Sequence, residues 1–224
     1  MIELHDVHVR LGERDVLRGV SLRLGERKIA VIGANGSGKS TFARLLNGLV
    51  LPTRGTVSVD GLDTRRDGGA VRRRVGFVFT DPDAQIVMPT VAEDVAFSLR
   101  RQRLPSEAVR ARVLGVLTRF GLADHADHPA HLLSGGQKQL LALASVLVTE
   151  PAVLVADEPT TLLDLRRTRQ VAELLLSLSE QVVLVTHDLD LLDGWNRVLV
   201  VDEGRLVADD VPAAAVRAYR ALMA

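Results

Sequence analysis

Two hydrophobic periods take turns along this chain. Short β-branched runs alternate with segments whose apolar residues return every three or four positions, the patterns of strands and amphipathic helices. Strands are predicted at Ile29 to Ile32, Thr56 to Val59, Val75 to Phe79, Val153 to Ala156, Val182 to Thr186 and Val198 to Val201. Ile2 to Leu11 and Val16 to Leu24 instead mix apolar and polar residues around Gly12-Glu13-Arg14-Asp15, which reads as an antiparallel hairpin. Between Thr90 and Leu132 the strands stop, and Val91 to Arg101 and Ser106 to Phe120 read as helices, the second opened by Pro105, Ser106 and Glu107. The sum is an α/β core of parallel strands with an N-terminal antiparallel β-subdomain and an inserted α-helical subdomain. No linker rich in Gly, Ser or Pro separates independent units. Residues 1–224 therefore read as one domain, with the core over 1–79 and 136–224 and the insertion over 80–135.

The run Ile29 to Ile32 leads directly into Gly33-Ala34-Asn35-Gly36-Ser37-Gly38-Lys39-Ser40, which fits the phosphate-binding pattern G-x-x-x-x-G-K-S. Its glycines let the backbone curl into a nest of N–H groups with no Cβ in the way of phosphate oxygens. A helix predicted from Lys39 to Leu46 adds the positive end of its dipole. Lys39 would reach the β- and γ-phosphates of a nucleoside triphosphate, Ser40 would take one position on Mg²⁺, and Thr41 would add a hydroxyl to the α-phosphate.

A second signal closes the apolar run Val153 to Ala156, where Asp157 and Glu158 stand side by side. Asp157 would join the Mg²⁺ shell through water, and Glu158 would orient and polarise an attacking water. Consecutive strand residues face opposite ways, so the two need not share a role, and alone the pair reads equally well as the wet end of a buried strand. The third signal is Leu133-Ser134-Gly135-Gly136-Gln137, placed before a helix predicted over Lys138 to Thr149. A serine and two glycines at a helix start form another anion site. Since the first loop already wraps the nucleotide, this second site implies a second subunit.

In chain order, these motifs together with Asp164 in Thr161-Leu162-Leu163-Asp164 and His187 in Val185-Thr186-His187-Asp188 resemble the ABC-type ATPases, a P-loop NTPase family. The likeness spans essentially the whole chain. It implies an ATP-hydrolysing subunit that works as a head-to-tail dimer, with a second copy or with a paralogue. Two ATP molecules would lie between one phosphate loop and the opposing signature loop of Ser134, Gly135, Gly136 and Gln137. Ser134 and Gly136 would close on the γ-phosphate held by the partner's Lys39. Glu158 would be the catalytic carboxylate, His187 would contact the γ-phosphate, and Asp164 would carry contacts across the dimer.

Two positions depart from the family pattern. Where an aromatic residue commonly stacks on adenine stands Leu11, with Val16 also able to pack on the ring; base–aromatic stacking is worth about 1–3 kcal/mol per base in nucleic-acid complexes. Where a Gln commonly senses Mg²⁺ and the attacking water stands Thr80. Either Thr80 acts through a water or Asp81-Pro82-Asp83-Ala84-Gln85 takes over part of the task. The run Phe79 to Gln85, followed by Thr90 to Phe97, resembles the ATPases of energy-coupling factor importers, which take up vitamins and metal ions. Thr80, the following Ile86-Val87-Met88-Pro89 and a short C-terminus look most like the biotin importers, with cobalt or nickel import the alternative. This likeness implies a peripheral place on the cytoplasmic face of the membrane. The partners would be a scaffold (T) subunit and a substrate-binding (S) subunit, which selects the cargo. Asp81, Asp83 and Gln85 would couple to the scaffold, the two acids facing arginines on its coupling helices.

Composition narrows the rest. At 47% apolar and 25% charged, with 28 basic against 28 acidic residues, the chain is globular and has no basic field to favour nucleic acid. It has no cysteine for a disulfide or a thiolate site. Met1 to Asp6 lacks the features of a signal peptide, and the apolar stretch Leu140 to Val148 is far shorter than the ~20 residues a bilayer needs. His125, His128 and His131 recur at a spacing that suggests metal, but Pro129 interrupts the register. Arg65-Arg66 and Arg72 to Arg74 read as solvated surface or a partner contact. ABC ATPases that act on DNA or ribosomes carry a long inserted coiled coil or two ATPase units, and neither pattern is present.

Overall fold

The parallel strands that carry the motifs are apolar at nearly every position because helices cover one face and a second sheet covers the other. The computed structural model describes residues 1–224. Its first part comprises β1 (Ile2–Leu11), β2 (Arg14–Leu24), β3 (Lys28–Ile32), α1 (Lys39–Leu46), β4 (Arg54–Val59), β5 (Leu62–Asp63), α2 (Gly68–Arg74) and β6 (Val75–Val78). Helices α3 (Val91–Leu99), α4 (Ser106–Arg119) and α5 (Gly135–Leu147) follow with no strand between them. The chain returns through β7 (Val153–Asp157), α6 (Leu165–Ser177), β8 (Gln181–Val185), β9 (Arg197–Asp202), β10 (Arg205–Asp210) and α7 (Pro212–Leu222). One sheet is antiparallel, in the order β2-β1-β4-β5. The other runs β10-β9-β3-β8-β7-β6, parallel throughout except for the edge strand β10.

Strand alternation feeds two cores from one sheet. Ala30, Ile32, Leu154 and Ala156 pack with α5 and α6, whereas Ile29, Val31, Val153 and Val155 pack with α1 and the antiparallel sheet. At the start of β3, buried Lys28 donates to the carbonyls of Leu175, Leu178 and Glu180 at 2.9, 2.8 and 3.3 Å. A cation there satisfies carbonyls left over at the end of α6 and ties β3 to it. Burial, with a smaller push from Arg27, brings this ammonium down to about 8.

Strand and helix ends shift by up to three residues from those expected, and three of the differences have a local cause. The hairpin turn is Gly12-Glu13 alone, since Leu11 pairs with Arg14 and Arg10 with Asp15, the latter pair joined by an ion pair at 3.7 Å. Helix α3 ends at Leu99 and tightens into a 3₁₀ turn, Arg100–Gln102, before Arg103 adopts left-handed φ. Helix α5 begins at Gly135 rather than Lys138. Ser134 Oγ accepts from the Gln137 amide and Gln137 Oε1 accepts from the Ser134 amide, a reciprocal cap that draws both glycines into the first turn.

β6 lies so close to α5 that a Cβ on Gly76 would stand 2.3 Å from Val146 Cγ1 and 3.2 Å from Pro151 Cγ. Gly76→Ala is expected to destabilise the chain by about 1–3 kcal/mol through overpacking. Urea unfolding checks this as a lower midpoint at unchanged slope.

Candidate active site

Four neighbouring parallel strands deliver the predicted site residues to one edge of the sheet. The carboxyl end of β3 runs into the phosphate loop, β6 leads to Thr80, β7 ends at Asp157 before Glu158, and β8 is followed by His187. Crevices at the carboxyl edge of open α/β sheets are where ligands bind.

The loop's shape depends on two glycines. A Cβ on Gly33 would fall 2.0 Å from the carbonyl oxygen of Val201, and one on Gly38, at φ 110, would fall 2.9 Å from Val16 O and Leu17 Cδ2. Within the loop the Ser37 amide bonds Ala34 O at 3.2 Å, while the amides of Gly36, Gly38, Lys39 and Ser40 have no backbone acceptor in the chain. Unpaired, convergent donors at a helix start suit phosphate oxygens. Lys39 Nζ donates to the carbonyls of Gly33 and Ala34 at 2.8 and 3.0 Å. Burial lowers its pKa, and Glu158 and Asp157 partly offset that.

Opposite the loop, Ser40 Oγ donates to Asp157 Oδ1 at 2.9 Å. Asp157 is 1% exposed, and burial raises its pKa against the Ser40 hydrogen bond. A hydroxyl beside a carboxylate so poorly solvated fits a hard cation with oxygen ligands. Thr80 Oγ1 donates to the backbone oxygen of Asp157 at 2.8 Å, which puts Thr80 at the same strand end. Glu158 takes left-handed φ, 52°, an uncommon conformation for a residue with a side chain. Its Oε2 lies 2.7 Å from His187 Nδ1 and accepts from Thr161 Oγ1 at 3.1 Å.

These groups open on one cavity of about 510 Å³, lined by Leu11, Arg14, Val16, Asn35, Gly36, Gly38, Lys39, Ser40, Thr41, Thr80, Glu158, Thr161 and His187. That size falls in the range of small-molecule sites. Gly33, Ala34 and Ser37 lie behind this surface in the loop. Ser134, Gly135, Gly136 and Gln137 are absent from the lining, and so is Asp164, which caps α6 by accepting from the Arg167 amide at 2.9 Å. Arg14 and Thr161 escaped the sequence reading. The signals were their positions, one at the start of β2 between Leu11 and Val16, the other three residues past Glu158.

The expected partner-facing residues divide. Asp81 and Asp83 are exposed, with Asp83 paired to Lys138 Nζ at 2.7 Å. Gln85 departs from the expectation of a partner-facing side chain. Its amide turns inward, accepting from the Phe79 amide at 3.2 Å and donating to Ala142 O at 3.1 Å, because these buried backbone groups need partners. Buried Asp94, also missed, accepts from the amides of Val87 and Met88 and from Ser145 Oγ at 2.8, 3.1 and 2.9 Å, fixing the same segment to α3 and α5. Of the three histidines, His125 Nε2 meets Gln137 Nε2 at 3.0 Å and stacks edge-on to His128. His131 sits on a separate exposed turn.

A sequence profile of the ABC transporter family matches residues 17–161. A putative ABC transporter ATP-binding protein of Deinococcus radiodurans is 57% identical over 223 residues, covering 100% of this chain and 99% of its own. A biotin transport ATP-binding protein of Rhizobium etli is 47% identical with the same coverage of both chains. The solved structure of cbiO1 from Clostridium perfringens, part of the ABC transporter complex cbiONQ, aligns with a TM-score of 0.87 at 31% identity, over 96% of this chain and 90% of that one. A dimeric ATP-binding cassette with ADP and phosphate bound aligns at 0.83 and 31% identity, over 95% and 99%. The chain belongs to the ABC transporter family. Within that family it is the ATP-binding subunit, the one that hydrolyses ATP.

Because burial raises the Asp157 pKa above 3.8, the folded state binds more protons than the unfolded state between that value and the raised one. Stability is therefore lost as pH climbs through that window. Asp157→Asn keeps an acceptor for Ser40 without the charge. Without nucleotide it should melt at a higher temperature than the parent at pH 7, the gain shrinking as pH falls to about 4. A thermal unfolding series against pH checks this.

Proposed function

We propose that the chain energises an energy-coupling factor importer for a vitamin, with biotin favoured, or for a metal ion. The observation that carries the reading is the half-built cavity. Phosphate loop, Glu158 and His187 line it, while buried Asp157 lies behind Ser40 and the signature loop of the same chain lies outside it. Ser134, Gly135, Gly136 and Gln137 of a second copy or a paralogue complete it in a head-to-tail dimer; the aligned cassette with ADP and phosphate is likewise dimeric. Leu162 and Leu165, 67% and 74% exposed, flank Asp164 and offer that second subunit apolar surface.

Lys39 and the free loop amides neutralise the β- and γ-phosphates, with Thr41 toward the α-phosphate. Ser40 and Asp157, with Thr80 beside them, would hold Mg²⁺, which would supply charge neutralisation to the phosphates. His187 and Thr161 hold the Glu158 carboxylate in one orientation. Its free oxygen takes the proton of a water that attacks the γ-phosphorus as the bond to ADP breaks. Loss of the γ-phosphate removes the group that both subunits share, and the dimer opens.

No helix is long and apolar enough to cross a membrane. The chain works at the cytoplasmic face, docked on a scaffold subunit that operates with a substrate-binding subunit, and nucleic acid is not its partner. Asp81 and Asp83 meet cationic groups of the scaffold. Gln85 ties their turn to α5, so a displacement there reaches the signature loop at the α5 start.

Glu158→Gln should lower ATPase turnover at least about a hundredfold, retain ATP binding and accumulate a dimer on size-exclusion chromatography. Turnover near the parent level would overturn the catalytic assignment. Asp81→Asn combined with Asp83→Asn removes both charges and keeps a capping side chain at position 81. The free subunit should hydrolyse ATP within about twofold of the parent, while substrate uptake by the reconstituted importer falls about tenfold or more. Unchanged uptake would remove these acids from the coupling surface.

A further inference from the structure

The cavity has no Phe, Tyr or Trp side chain. Its two apolar residues, Leu11 and Val16, offer the apolar surface on which a base can pack, with Leu11 51% exposed. Between them comes Arg14. Leu11 and Arg14 are paired across the hairpin, so their side chains rise from the same face of the ribbon, and both line the cavity. Arg14 Nη2 donates to Gly36 O at 3.2 Å, which holds the guanidinium against the phosphate loop. No carboxylate engages it, and its neighbour Asp15 is paired with Arg10.

A guanidinium is planar, weakly hydrated and able to stack on aromatic faces, whereas an ammonium offers a point charge and no plane. We propose that Arg14 supplies the stacking surface for the purine of the bound nucleotide, with Leu11 and Val16 packing its edge. The inference rests on nucleotide occupation of this cavity. It assigns to the first residue of β2 the task that the sequence pattern left to Leu11. The Arg14 anchor is a neutral carbonyl rather than a carboxylate, so no counter-ion competes with a base for the guanidinium.

Isothermal titration with ADP, GDP and inorganic pyrophosphate tests this without turnover. Arg14→Ala should weaken ADP and GDP by about tenfold each, since stacking tolerates either purine, and leave pyrophosphate unchanged. Arg14→Lys should lose nearly as much, and Arg14→Tyr should recover most of the affinity. Arg14 is exposed, so these variants should fold, and circular dichroism checks that they do. Equal losses for pyrophosphate and ADP, or a lysine variant that binds ADP like the parent, would make Arg14 a charge contact and overturn the proposal. Failure of the parent chain to bind ADP would overturn the nucleotide site as well.

Discussion

The hydrogen bond from Ser40 to Asp157 is the contact on which the site depends. It joins the first residues of α1 to the end of β7 across 117 positions of sequence. To make it, a carboxylate has been taken almost wholly out of water, which costs stability in the free chain. The cost is tolerable because the carboxylate accepts from Ser40 and sits in the field of Lys39 and Arg44, which offset part of it. The surrounding sheet exists to keep those groups in register.

That register comes from strand order. β3 lies between β8 and β9, and β7 between β8 and β6, so the ends of β3, β6, β7 and β8 share an edge although long stretches of chain separate them. Lys28 holds the other end of β3 by capping α6. The phosphate loop is therefore suspended from a strand anchored at both ends, and the catalytic geometry is inherited from the core rather than from the loops.

Incompleteness is the second consequence. The helical insertion carries its signature loop on the start of α5, away from the cavity of its own chain, so the chemistry waits for another subunit. The insertion is nevertheless wired to the core. Gln85 bonds α5 from the turn after β6, and Asp94 bonds both α5 and the segment that follows the turn. One polar network thus links the exposed acids Asp81 and Asp83, the signature helix and the strand that leads to Thr80.

Much of this was legible before any coordinates. Eight residues from Gly33 to Ser40 have one good backbone solution, and five-residue strands with four apolar residues each have one good environment, between two covered faces. The nucleotide loop, the parallel core and the inserted helices follow from such local constraints. The order of motifs identified the family. Tertiary structure alone decided which groups meet: Glu158 with His187 and Thr161, Gln85 with α5, Arg14 with Gly36 and Leu11. It also decided that Gly135 and Gly136 lie within a helix. Those outcomes depend on strand order and on which buried amide or carbonyl lacks a partner, both set by contacts between residues far apart in sequence. No local period or motif encodes them.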